Sequence, residues 1–172
     1  MVRQALTQPM DINEVVYWAR QYEQSEAAKR DLLECFMDAD NRVASNALWV
    51  ATHMTHAQLQ WFVAVADRLI DAVLVADHPT RKRLLLNVLL ELDVTYERID
   101  FLDFCLALIT LPTEPVGIRS LCIKHAYHMA LPYPELCHEL RVTLELLQPH
   151  EMSAGLRHAR NTTLKALAFV SS

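Results

Sequence analysis

Eight histidines stand in this chain, and two sets of them have the spacing of a helix face. His53 and His56 lie three apart, as do His125 and His128, and residues three apart on a helix can point at one metal ion. His125-x-x-His128 is followed by Glu135-x-x-His138, so His125, His128 and His138 are the candidate ligands of a mononuclear site. A closed zinc site takes four ligands and a catalytic one takes three plus water. Glu-x-x-His is also half of the di-iron carboxylate pattern of helical bundles, but that pattern needs a second copy, and none occurs here. The competing reading is of surface and half-buried histidines on helix shoulders. It asks for no convergence of three side chains from two helices, so no metal and no cofactor is expected.

Paired carboxylates are the next groups able to do chemistry. Asp67 and Asp71, and Asp100 and Asp103, fall at spacings that share a helix face. Two carboxylates can hydrolyse a glycosidic bond, but on a charged helix face they are more often solvated. The chain has no Gly-x-Ser-x-Gly elbow, no P-loop and no Gly-x-Gly-x-x-Gly turn. No catalytic residue is assigned.

The elements that must carry these groups are helices. Two glycines in 172 residues remove the usual material of hairpin turns and phosphate loops, and 52% of the chain is hydrophobic. This length suits one domain with a substantial core. Asp11 with Glu14 forms a capping-box pattern opening a helix to about Tyr22, and Ser25 opens a second through Phe36. Asp40 or Asn41 opens a third, ending near Met54. Thr55 with Gln58 predicts a long helix to Ala76, carrying a stripe from Leu59 to Leu74. Asp77-His78-Pro79 starts a helix ending near Val94, and another runs from about Glu97 to Thr110. Thr113-Glu114-Pro115 starts the next, Pro132 and Pro134 break the junction before Glu135, and Pro149 closes the helix that follows. Ser153 caps the last. Residues 1–10 are expected as a flexible tail.

Cys35, Cys105, Cys122 and Cys137 are widely spaced with no Cys-x-x-Cys pair, which favours buried reduced thiols. The start shows no secretory signal, and the most apolar stretch, 61–76, holds Asp67, Arg68 and Asp71 and so is no ordinary membrane span. A cytoplasmic location follows by elimination. A net charge of −5 gives no help to a nucleic-acid reading.

One sentence is written four times: Arg42, Arg83, Arg119 and Arg157 each open a helix-like segment with an apolar residue seven positions on. Their separations of 41, 36 and 38 residues fit helical-hairpin repeats. The openings 77–83 and Glu114-Pro115-Val116-Gly117-Ile118-Arg119 resemble, with small insertions, the Asp-Pro-x-Val-Arg start of HEAT repeats. The resemblance covers roughly 40–169. The segment 11–38 fits as an atypical leading pair, and 153–170 suits a capping helix.

The resemblance implies an all-α right-handed superhelix of four to five hairpins, residues 1–172 forming a single domain. It also implies a binding role, with second helices lining a concave surface. That surface would collect Asp67, Asp71, Asp100, Asp103, Glu135 and Glu139, along with Glu97 and Glu145, diluted by Arg68, Arg98 and Arg141. An acidic face steers basic partners and repels phosphate. The expected partner is a protein with a basic surface, on a non-catalytic scaffold. Besides a closed helical bundle in place of the open stack, two functional alternatives stay open. One is a DNA-repair protein of the HEAT-like alkylpurine glycosylase type, with Trp49, Trp61 and Asp103 at its lesion site, although the lysine-arginine lining such proteins use to grip DNA is missing. The other is a metal-binding helical enzyme.

Overall fold

The computed structural model describes residues 2–148, 150 and 152–170. It is all-α, with no strand among the described residues, and the chain divides into two compact units, 1–94 and 95–172. The boundary falls inside the third of the hairpins expected from the repeat.

Unit 1 runs α1 (Val2–Ala5), α2 (Ile12–Tyr22), α3 (Glu26–Phe36), α4 (Asn41–Ala51), α5 (His56–Leu59), a 3-10 stretch (Gln60–Val65), α6 (Ala66–Val75) and α7 (Pro79–Leu90). The caps of the first three full helices form as the sequence predicts. Asp11 Oδ1 accepts from the Asn13 and Glu14 backbone N–H groups, and Glu14 returns a bond to Asp11 N at 2.9 Å. Ser25 Oγ accepts from Ala28 N at 3.1 Å, and Asp40 Oδ1 from Arg42 N at 2.8 Å.

Three expectations give way in this unit. The long helix from Thr55 to Ala76 is broken, because Thr55 supplies no side-chain cap and the segment from Gln60 to Val65 tightens into a 3-10 stretch. That segment is aromatic and β-branched, types that lose rotamer freedom in a helix. Packing decides its shape: Phe62 is fully buried against Phe36, ring centroids 5.3 Å apart. The leading segment, expected as a tail, is instead seated. Leu6 is fully buried, Asn46 Nδ2 donates to the carbonyls of Leu6 and Gln8 at 2.9 Å each, and Arg3 pairs with Asp38. α7 also ends earlier than expected, where Gln60 donates to the Glu91 carbonyl and accepts from Asp93 N.

Unit 2 runs α8 (Ile99–Thr110), α9 (Val116–Ala130), α10 (Pro134–Glu145) and α11 (Ala154–Val170). α9 is its centre: it packs against α8, α10 and α11, and buries a broad face that includes Leu121, Cys122, Ile123, Ala126 and Met129. Helix C-termini leave carbonyls without intrahelical donors, and arginine side chains supply them. Arg119 Nε donates to Ile109 O at 2.9 Å at the end of α8, and Arg160 Nε to Leu144 O at 2.8 Å at the end of α10. Arg81 does the same in unit 1, donating to Phe36 O at 2.8 Å at the end of α3. Ser153 Oγ accepts from Leu156 N at 3.3 Å, so the last cap stands, while Pro149 lies outside the described residues.

All four thiols are free and buried. Cys137 Sγ donates to Ala130 O at 3.2 Å. Burial, reinforced by the neighbouring Cys122 of α9, pushes the Cys105 thiol of α8 well above the ordinary range. Burial also raises Cys35 and Cys137.

Candidate functional site

The three candidate metal ligands do not converge. His125 is 1% exposed in α9, its ring edge-on to Phe101 at 5.2 Å and tilted against Tyr96 at 6.3 Å. His128, one helical turn on, is exposed beside Tyr127, and His138 is exposed on α10. Among the described residues no group of three or more His, Cys, Asp or Glu side chains is arranged to hold a metal ion. The physical reason is rotation: at three residues apart His125 turns into the α8–α9 core while His128 turns to solvent. The other spaced pair also separates, His53 turning back to the Trp49 carbonyl at 3.0 Å and His56 pairing with Asp93 at 3.0 Å.

The six carboxylates proposed as a contact surface are all exposed. Asp67 and Asp71 lie on α6 in unit 1, and the other four lie in unit 2, Asp100 and Asp103 on α8, Glu135 and Glu139 on α10. Each unit has its own second-helix surface. In unit 2, α8 and α10 pack against each other. Arg98 grips Asp100 with two bonds, 2.9 and 2.7 Å, which holds that carboxyl below its ordinary range. Arg141 reaches away to the Leu167 carbonyl at 3.1 Å. Tyr133 donates to Glu97 at 3.4 Å. Asp103, Glu135 and Glu139 keep no hydrogen-bond or ion-pair partner among the described residues.

In unit 1 the second-helix surface is more neutralised. Arg68 pairs with Glu34 across from α6 to α3 at 3.4 Å. Glu26 accepts from the Trp61 indole N–H, the main cause of its lowered pKa, and from Lys29 at 3.3 Å. That assignment places Trp61 as a half-buried tie between helices. Trp49, on α4, lines a separate cleft between first helices that sequence reasoning did not single out. A signal for it was present: Asn46 and Asn87, both on the cleft wall, lie 41 residues apart, the same step as Arg42 to Arg83.

No helix among the described residues is long and apolar enough to cross a membrane. No curated protein and no solved structure gives a significant match to the chain. The sequence model of the HEAT repeat domain matches residues 2–167, spanning the helices of both units. On that match, over an all-α fold of successive short-looped helices, the chain belongs to the HEAT repeat domain family.

Proposed function

We propose that this protein is a non-catalytic scaffold that captures a protein partner bearing a basic surface. The observation that carries the reading is the α8–α10 surface of unit 2. Asp103, Glu135 and Glu139 are exposed there without intramolecular partners, on two helices packed side by side. The arginines that the sequence sets among these carboxylates are committed elsewhere: Arg98 to Asp100, Arg141 to a backbone carbonyl. Negative charge left unpaired at a surface accelerates encounter with a positive one and disfavours phosphate. Asp67 and Asp71 on α6 supply a second, smaller acidic surface in unit 1. A cytoplasmic location belongs to the same proposal and is supported by four free buried thiols.

Affinity capture from the native lysate tests this at about 50 and 300 mM salt, with and without nuclease. The expected result is a stoichiometric protein that survives nuclease, weakens with salt, and is lost when Asp100, Asp103, Glu135 and Glu139 are all changed to Lys. The variant's helical circular dichroism should be unchanged. Capture that is insensitive to this reversal, or that depends on nucleic acid, overturns the reading.

A further inference from the structure

The first helices of unit 1 carry a site of another kind. α4 and α7 pack as neighbours, yet between them, with α5 at one end, lies a cleft of about 660 Å³. That volume is in the range of small-molecule sites. Its walls are two facing helical stripes, Ser45, Trp49 and Thr52 on α4 and Arg83, Asn87 and Glu91 along α7.

One of these groups is buried and unsatisfied, and others are open to a ligand. The Ser45 hydroxyl is buried with no hydrogen-bond partner, which is rare for a buried polar atom and asks for an explanation. The Arg83 guanidinium, the Asn87 amide and the Trp49 indole N–H have no side-chain partner among the described residues. The cleft is also dipolar. Arg83 stands at one end and the exposed Glu91 carboxylate at the other, where His56, paired with Asp93, also lines the cleft. Eight residues separate Arg83 from Glu91, about 12 Å along a helix, with Asn87 midway.

We propose that this cleft binds a free short peptide of about three residues, its carboxylate at Arg83 and its amine at Glu91. An extended tripeptide spans about 10 Å between its charged ends, within reach of two side chains rooted about 12 Å apart at Arg83 and Glu91. Arginine takes a carboxylate with two parallel bonds. A side-chain amide such as Asn87 both donates to and accepts from a peptide group, and Trp49 opposite offers an aromatic face and one N–H. Because both termini are read, an internal segment of a longer chain lacks the required charges. The site is independent of the acidic second-helix surfaces.

The test uses the full chain labelled with 5-fluorotryptophan at its three tryptophans, with the Trp49 fluorine signal assigned by Trp49→Phe. The probes are the tripeptide Ala-Phe-Ala, its C-terminal amide and its N-acetyl form. A saturable shift of the Trp49 signal is expected with the free tripeptide, and about tenfold weaker binding for each blocked form. Arg83→Ala and Glu91→Gln, both at exposed positions, should weaken the free tripeptide by a similar factor while melting like the parent protein. No saturable shift, equal binding by the blocked forms, or binding that survives Arg83→Ala overturns the assignment.

Discussion

Arg83 and Arg119 occupy the same place in the repeated sentence and do opposite things. Arg119, near the start of α9, donates to the Ile109 carbonyl and finishes the end of α8. Arg83, near the start of α7, has no partner and lines an open cleft. Their helices differ in the same sense. α9 in unit 2 is enclosed by three neighbours and buries small residues such as Ala126 to let them approach. α7 in unit 1 meets α4 across a mixed lining, from Ser45 to Trp49 and Arg83, that leaves a cleft of about 660 Å³ between them. A repeat position therefore does not have one job. The arginine is structural where a helix end needs a donor, and it is available for a ligand where Arg81, two residues earlier, has already met that need at Phe36.

The largest effect should come from overfilling the closed pair. Ala126→Leu places three extra carbons in fully buried space and should cost about 2–3 kcal/mol, whereas Asn87→Leu on the open side should change thermal stability by less than about 0.5 kcal/mol. Equal losses in denaturant titrations would remove the contrast. Next comes the arginine comparison itself. Arg119→Ala should cost about 1.5 kcal/mol, the scale of a charge-assisted hydrogen bond, and Arg83→Ala no more than about 0.5 kcal/mol. Melting both variants side by side checks this, and a similar drop in each would mean that Arg83 has a structural partner after all.

The smallest effect concerns the seated leading segment. Arg3 holds the Asp38 carboxyl below its ordinary value of 3.8. A carboxyl whose pKa is lowered by folding stabilises the native state above its unfolded value, and this contribution is lost as pH falls through the folded value. The difference in melting temperature between the parent protein and Arg3→Ala should accordingly be present at neutral pH and shrink below about pH 4. A gap that stays constant down to about pH 2 would assign the effect to packing instead of charge.

Much of this fold was legible because its signals are local. The caps at Asp11, Ser25, Asp40 and Ser153 are spelled by neighbouring residues, and the structure forms each of them. The arginine period pointed to hairpin repeats, and the family match agrees. What failed was tertiary. Nothing near Thr55 signals that Phe62 must reach Phe36 and tighten the chain into a 3-10 stretch. Nothing near Leu6 announces Asn46, forty residues away, as the donor that holds it. The spaced histidines do not come together because a spacing of three leaves an angular offset, and here the edge of the core falls between His125, which is buried, and His128, which is exposed. The cleft was missed because a space left between two helices depends on how they pack, which a single sequence does not display.

The four thiols offer a final consequence. A thiol reacts as its thiolate, and burial holds Cys35, Cys105 and Cys137 away from that form. Alkylation of the folded protein must then wait for the chain to open, so the speed of modification at each sulfur becomes a clock for breathing of the helices around it. Cys35 keeps time for unit 1, and Cys105, Cys122 and Cys137 for unit 2.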